Sequence, residues 1–189
     1  FACSNGAEAY TLASSLRSAV PDVAFDIQAS DLHPEMVDKA RAATYSVDEV
    51  HHVEDITPDF IDATFDRVGD RYVVKPEIRE RVSFSQASLL SRELSQQFKP
   101  ADIVVAQNVL FHLDPPAATL AFENLVGLLK PRSALLVEGM DLDLRLRLTR
   151  AHQLHPLAYQ HREIYERSRS HVSLEWWRHY YGAEPYSVL

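Results

Sequence analysis

The sequence predicts an α/β fold in which a mostly parallel sheet carries helices on both faces. Helix-type and strand-type segments alternate as far as Gly139, which is the pattern of strand–helix–strand units. The run Ala101–Ala106 is almost continuously apolar, as expected of a parallel strand that is covered on both faces. Polar residues follow several strand ends, where open α/β sheets bind their ligands.

The first helix and strand are clear from their spacing. Apolar residues recur at helical intervals over Ala7–Val20, and Pro21 closes that helix. Apolar and polar residues then alternate over Val23–Asp31, which predicts a strand. A second helix opens at Pro34 and runs to about Ala43.

The middle of the chain predicts a small insertion. A helix is expected over Pro58–Arg67 with Thr57 as its cap, and Gly69 ends it. Short strands are expected at Arg71–Lys75 and Val82–Phe84. We interpret residues 69–84 as a small β-subdomain inserted on the main sheet.

The sheet signal returns after this insertion. Ala101–Ala106 is followed by a helix that Asp114 caps and Pro131 ends, and then by a strand over Ser133–Gly139. Residues 141–189 form a divergent helical and aromatic segment that contains both tryptophans. Its aromatic run, Trp176–Tyr181, is expected to pack against the sheet edge.

Composition restricts the partners and the compartment. The 189 residues include 19 Lys and Arg against 27 Asp and Glu, a net charge of −8, which disfavours nucleic acid as a partner. No apolar run approaches the roughly 20 residues that span a bilayer. The single cysteine, Cys3, cannot form an internal disulfide and favours a reducing, cytoplasmic location.

Three polar spots are predicted to surround one ligand. The turn Cys3–Gly6 precedes a helix, and its glycine permits a close approach of backbone to ligand. Asp31 ends the next strand, ~20 residues on, where a carboxylate accepts both hydroxyls of a ribose. Gln107 and Asn108 follow Ala106 and offer amide groups to an amino-acid moiety.

The ligand is expected to be a nucleoside without phosphates. The turn has one glycine rather than three, no lysine follows it, and Glu8 would repel a pyrophosphate. S-adenosylmethionine fits these residues, because its ammonium and sulfonium groups attract Glu8 and its ribose suits Asp31.

Several segments of the sequence are similar to those of a known family. The segment Ala2–Ala13 resembles the first cofactor motif of the CheR family, the chemotaxis-receptor glutamate methyltransferases. The similarity covers about residues 1–139 and continues through four further segments: Ala29–Leu32 with Val37–Arg41, Tyr72–Arg79, Asp102–Val104 with Asn108–Leu110, and Leu128–Pro131.

The resemblance implies a class I methyltransferase fold of Rossmann-like type, with S-adenosylmethionine as cofactor and S-adenosylhomocysteine as product. Residues 1–189 would then be a methyltransferase catalytic domain, whose first strand and any N-terminal domain we expect to lie upstream of Phe1. At the methionine end of the cofactor, the resemblance implies Ala2, Ser4, Asn5, Gly6 and Glu8. It implies Asp31 and Leu32 at the ribose and Ser88 and Leu89 at the adenine. It implies Gln107 and Asn108 at the amino-acid group.

Several positions depart from the family pattern. Gln107 replaces an arginine, His112 replaces a tyrosine near the transferred methyl, and Ser88 replaces an asparagine. With Asn108, we take Gln107 and His112 as the candidate catalytic residues. A histidine exchanges protons near neutral pH, so His112 suits a hydroxyl or amine acceptor; equally, it is a strand-end histidine that hydrogen-bonds Asp114.

The methyl acceptor is expected to be a protein side chain or a small molecule, with protein docking through the β-subdomain. Two alternatives stay open. A domain with eroded motifs could bind the cofactor or a partner without catalysing transfer. A metal site could use His152, His155, His161 and Glu163, but Pro156 breaks the helical register there, so no metal is expected.

Overall fold

The computed structural model describes residues 1–51 and 56–157. The helices are α1 (Ala7–Ala19), α2 (Pro34–Ala42), α3 (Val47–His51), α4 (Pro58–Thr64), α5 (Pro76–Arg79), α6 (Leu94–Gln97), α7 (Pro115–Val126) and α8 (Leu142–Ala151). The strands are β1 (Ile27–Asp31), β2 (Thr44–Ser46), β3 (Phe65–Val68), β4 (Arg71–Val74), β5 (Val82–Gln86), β6 (Ala101–Ala106) and β7 (Leu129–Val137).

Two parallel strand pairs form the framework. Strands β1 and β5 pair in parallel from Ile27 opposite Val82 to Asp31 opposite Gln86. Strands β6 and β7 also pair in parallel, with Ala106 opposite Val137. The α/β class is therefore confirmed, and β6 has the bounds that its apolar run predicts.

The small sheet has different bounds from those predicted. It is antiparallel, in the order β2–β4–β3, so it uses residues 44–46, 65–68 and 71–74. Val82–Gln86 lies outside it, because this strand pairs with β1. The predicted bounds of 69–84 are therefore wrong: pairing partners, which local sequence patterns do not reveal, decide which sheet a short strand joins.

Two other boundaries also follow from pairing. The strand expected from Val23 begins only at Ile27, which is opposite the first residue of β5. The helix expected to reach Arg67 ends at Thr64, because Phe65–Val68 pairs with β4. At its start, the Thr57 hydroxyl accepts the N–H of Phe60 at 3.2 Å and caps the helix as predicted.

The first residues of the chain join the two parallel pairs. The amine of Phe1 donates to the carbonyl of Val105 in β6 at 2.8 Å, and the N–H of Cys3 donates to the carbonyl of Ser30 in β1 at 3.0 Å. Beside them lies a cavity of about 560 Å³ that residues of both β1 and β6 line. We call this cavity the β1–β6 slot; its walls include Leu12, Leu16, Phe25, Ile27, Phe98 and Val104.

Buried apolar residues form three clusters. One packs α1 and α2 against the small sheet and β5, and within it the hydroxyls of Ser14 and Thr64 bond at 2.6 Å. The other two pack α7, and with it β6 and β7, around Phe122 and Leu125. One expectation is not met: Ile103 and Leu136 are 51% and 45% exposed, so the β6–β7 pair is not covered on both faces in the described part of the chain.

Residues 158–189 lie outside the described residues, and with them the predicted packing of Trp176–Tyr181. Before that boundary, Asp141 caps α8 by accepting the N–H of Leu144 at 2.8 Å. None of the helices in the described ranges has both the length and the apolar character required to cross a bilayer.

Candidate functional site

Residues 2–6, which we call the opening turn, have an unusual backbone. Ala2, Ser4 and Gly6 have φ angles of 55°, 47° and 82°, all in the left-handed region. The Oδ1 atom of Asn5 accepts the N–H of Ala7 at 3.2 Å, at the start of α1. Since non-glycine residues rarely adopt this region, the turn is held by its surroundings rather than by its own preferences.

Gly6 has a packing role in addition to the ligand contact that the sequence predicts. A Cβ atom on Gly6 would lie 2.7 Å from the Cβ of Ala40 and 3.0 Å from the Cζ of Phe84. The Cβ position therefore faces α2 and β5, inside the protein. The glycine is required by its positive φ and by this packing, whereas the sequence interpretation assigned it to close contact with a ligand.

Asp31 connects the turn to the end of β1. It is 8% exposed, and its Oδ2 atom accepts the N–H of Ser4 at 2.8 Å. Its Oδ1 atom accepts the N–H of His33 at 3.0 Å. Each oxygen retains further acceptor capacity, because an ionised carboxylate offers about four lone-pair sites.

The predicted adenine residues follow β5, beside Asp31. The N–H of Ala87 donates to the Asp31 carbonyl at 3.0 Å, and the side chain of Gln86 donates to the carbonyl of Leu32 at 3.0 Å. The Ser88 hydroxyl accepts the N–H of Leu90 at 3.2 Å, within its own turn. Leu89 is held from the other side, since the side-chain amide of Asn124 donates to its carbonyl at 2.7 Å.

Gln107 and Asn108 follow β6 directly, two and three residues after the carbonyl that Phe1 contacts. Gln107 lines the β1–β6 slot together with Glu8 and Phe1. Asn108 is exposed and has a φ of 52°. Ser4 of the opening turn bonds Asp31, and Gln107 lines the same cavity as Cys3 and Glu8, so the turn lies next to Asp31 and to Gln107.

The site is acidic. Burial raises the pKa of Glu8, the amine of Phe1 opposes that shift, and the negative charge of Glu138 adds to it. Asp31 contributes a further buried carboxylate. These carboxylates fit a cationic nucleoside ligand and disfavour phosphates, so the residues present fit S-adenosylmethionine.

His112 lies in a 3-10 turn, Leu110–His112, rather than at a strand end. Its ring lies against that of Phe111, with 3.9 Å between the ring centroids. Asp114 instead caps α7, because its Oδ1 atom accepts the N–H of Ala117 at 2.8 Å. The interpretation of His112 as a histidine at the end of a strand is therefore wrong.

No role was predicted for Tyr45, which stabilises the opening turn. Its hydroxyl donates to the carbonyl of Asn5 at 2.9 Å, and burial raises its pKa. Tyr45 belongs to β2, a strand of three residues that is too short to give a periodic signal. Cys3 is also buried here, and burial raises the pKa of its thiol to about 11, so it stays protonated at neutral pH.

The described residues contain no group of three or more His, Cys, Asp or Glu side chains that could hold a metal ion. His161 and Glu163, which belong to the metal alternative, lie outside those residues. His51 shares a 3.0 Å hydrogen bond with the hydroxyl of Tyr72.

Together, the parallel strand pairs and the acidic site at their ends define a nucleoside-binding α/β protein. Residues 1–147 match the family model described as "CheR methyltransferase, SAM binding domain". The match covers most of the chain, so the chain belongs to this family, whose cofactor is S-adenosylmethionine. The family assignment made from the motifs is confirmed.

Curated relatives agree with this match. The chain is 27% identical over 140 residues to a chemotaxis protein methyltransferase of Listeria innocua, covering 74% of this chain and 51% of that protein. It is 31% identical over 134 residues to chemotaxis protein methyltransferase 2 of Pseudomonas aeruginosa, covering 69% and 47%. It is also 27% identical over 143 residues to the probable biofilm formation methyltransferase WspC of Pseudomonas aeruginosa, covering 75% and 33%. The chain spans about half the length of the chemotaxis methyltransferases that it matches.

The packing of Gly6 gives a prediction with an internal control. Gly6→Ala should lower the free energy of unfolding by about 2–5 kcal/mol, from the positive φ and the overlap with Ala40. Gly69→Ala should cost only about 1–2 kcal/mol, because Gly69 has a φ of 64° but no atom within 4 Å of its Cβ position. Urea unfolding measures both changes, and equal losses would contradict the overlap at Gly6.

Proposed function

We propose that this chain is the cofactor-binding and methyl-transferring core of a CheR-type methyltransferase that acts on a protein side chain or a small molecule. The observation that carries the proposal is the Asp31 carboxylate, which is buried, hydrogen-bonded to the opening turn and still able to accept further hydrogen bonds. The family match supplies the identity of the cofactor.

Each part of the site has a separate task in this proposal. When bound, S-adenosylmethionine supplies a methyl group activated by its sulfonium. Asp31 would hold the ribose hydroxyls with Leu32 beside it, and Ser88 and Leu89 would flank the adenine. The opening turn and Glu8 would hold the methionine end, with Gln107 and Asn108, because acidic and amide groups suit its ammonium.

The role of Asp31 can be tested by calorimetry with S-adenosylhomocysteine. Asp31→Asn should weaken binding by about 10–100-fold, because an amide offers one acceptor oxygen where the carboxylate offers two charged ones. Asp26→Asn is the matched control, because Asp26 precedes β1 and is exposed. The affinity of this variant for S-adenosylhomocysteine should stay within about twofold of that of the unchanged protein.

Urea unfolding of the Asp31→Asn variant separates lost contacts from a disturbed turn, because Asp31 also accepts two backbone N–H groups. Unchanged affinity in a folded variant would contradict the assignment of Asp31 to the ribose. Tight binding of S-adenosylhomocysteine by a protein that methylates no acceptor would instead favour the alternative of a non-catalytic binding module.

The acceptor group is proposed to be a hydroxyl or an amine rather than a carboxylate. Gln107 carries no charge to neutralise an anionic acceptor, and the carboxylates of Glu8 and Glu138 influence each other at this site. His112 is exposed and follows Gln107 by five residues, in the turn after β6. It would accept the proton that a hydroxyl or amine releases as the methyl group arrives.

Methyl transfer to two peptides that differ only in a central glutamate or lysine tests this acceptor class. The unchanged protein should favour the lysine peptide. His112→Ala should slow that transfer by about 10–100-fold, and Gln107→Arg should raise transfer to the glutamate peptide by about 10-fold. Affinity for S-adenosylhomocysteine is measured for each variant. Unchanged rates in both variants would contradict the proposal.

We also propose that the two parallel pairs belong to one Rossmann-like sheet, with a further strand in the β1–β6 slot. Within the described residues, β1 pairs only with β5 and β6 only with β7, and the walls of the slot between them are largely apolar. The nitrogen of Phe1 already donates to β6 as a strand residue would. An extended segment leading into Phe1 would therefore complete the order β5–β1–new strand–β6–β7.

Extending the chain before Phe1 tests this arrangement. Five alternating valine and isoleucine residues should raise the free energy of unfolding by about 2 kcal/mol, because they replace water in an apolar slot. They should also slow amide exchange in β1 and β6. The matched extension with a central proline, which cannot donate a ladder hydrogen bond, should do neither. Equal behaviour of the two extensions would contradict the proposal.

Protein docking is proposed for the small sheet. In the order β2–β4–β3, the outer strands each have one edge that no other strand of the described residues pairs. Val68 of β3 is 62% exposed. An extended peptide could add to such an edge through main-chain hydrogen bonds.

A further inference from the structure

The turn after β6 presents an aromatic ring at the proposed acceptor side of the site. Leu110 is 1% exposed and anchors this turn in the core, whereas the next residue, Phe111, is 55% exposed. The rings of Phe111 and His112 lie 3.9 Å apart at an angle of 39°. One exposed aromatic residue is ordinary on a protein surface, so the inference depends on what holds this one.

The Phe111 ring packs against Gly139. It follows β7 with a φ of 69°, and a Cβ atom there would lie 2.6 Å from Cδ1 and 3.1 Å from Cε1 of Phe111. The same Cβ would lie 3.5 Å from the Cα atom of Asn108. The ring thus packs against a residue that has no side chain, next to Asn108, a proposed catalytic residue.

Two other loops after parallel strands also carry an exposed apolar residue. Leu32 follows β1, Leu90 follows β5 and Phe111 follows β6, and all three are substantially exposed, at 56%, 38% and 55%. Loops after the carboxyl ends of parallel strands are where α/β proteins bind ligands. Among these three side chains, only Phe111 is in the loop that carries Gln107, Asn108 and His112.

We propose that Phe111 determines acceptor specificity by stacking on an uncharged aromatic or apolar group next to the atom that is methylated. This inference rests on the proposed function and narrows its acceptor. A flat apolar surface between neutral amides and a histidine ring favours an uncharged, planar neighbour through area burial and ring stacking. A carboxylate at that place would lose its hydration and meet the negative charge of Glu138, which adjoins Gly139.

The probe for this inference is N-acetylphenylalaninamide, added to the protein loaded with S-adenosylhomocysteine. Ligand-observed NMR should show saturable binding of its ring, and N-acetylglutamate amide at equal ionic strength should bind at least about fivefold more weakly. Phe111→Ser should weaken binding of the aromatic probe by about fivefold or more, whereas Phe111→Trp should retain it.

Gly139→Ala should act like Phe111→Ser, because its methyl group displaces the ring. Two matched controls should leave the probe affinity unchanged. Gly127→Ala adds a Cβ no closer than 3.4 Å to its neighbours, and Val23→Ser removes a similarly exposed apolar group from the turn before β1.

The outcomes separate this inference from the proposed function. Absence of S-adenosylhomocysteine binding, measured by calorimetry on the same sample, would overturn the proposed function and the inference with it. Normal binding of S-adenosylhomocysteine would leave the proposed function intact. If the aromatic probe then fails to bind, binds no better than the glutamate probe, or responds equally to Phe111→Ser and Val23→Ser, the role of Phe111 is wrong.

Discussion

The buried carboxylate of Asp31 is the interaction on which the site depends. It accepts the N–H of Ser4 and the N–H of His33, and so ties the opening turn to the end of β1. The turn contains three left-handed residues, two of which are not glycine, and so it needs such external support. Hydrogen bonds to a charged acceptor are among the strongest in proteins, and burial makes their loss costly.

The same carboxylate explains why structure and cofactor chemistry agree. A residue that only supported the turn could have been replaced by a neutral acceptor, but an ionised carboxylate keeps lone pairs for a ribose. The neighbouring Glu8 and Glu138 extend the negative charge towards the proposed methionine end. The phosphate-free, cationic nucleoside inferred from the sequence is therefore also the ligand that suits the folded site.

The sequence predicted those parts of the fold that local patterns determine. The apolar run of β6 and the Thr57 and Asp114 caps lie where expected, and Asp31 ends β1 beside the opening turn, where it accepts the N–H of Ser4. The bounds of the small sheet were mispredicted, because Thr44–Ser46 becomes a strand only by pairing with β4. The packing role of Gly6 was also hidden, because Ala40 and Phe84 are remote in sequence and meet it only after folding.

The central claim is that the site takes a nucleoside without phosphates, and competition between two adenosine ligands tests it most directly. Calorimetric titration with S-adenosylhomocysteine should give saturable binding, and a saturating excess of ATP should not displace it, because Glu8 and Glu138 repel phosphate groups. Binding of ATP with equal or higher affinity at this site would contradict the account.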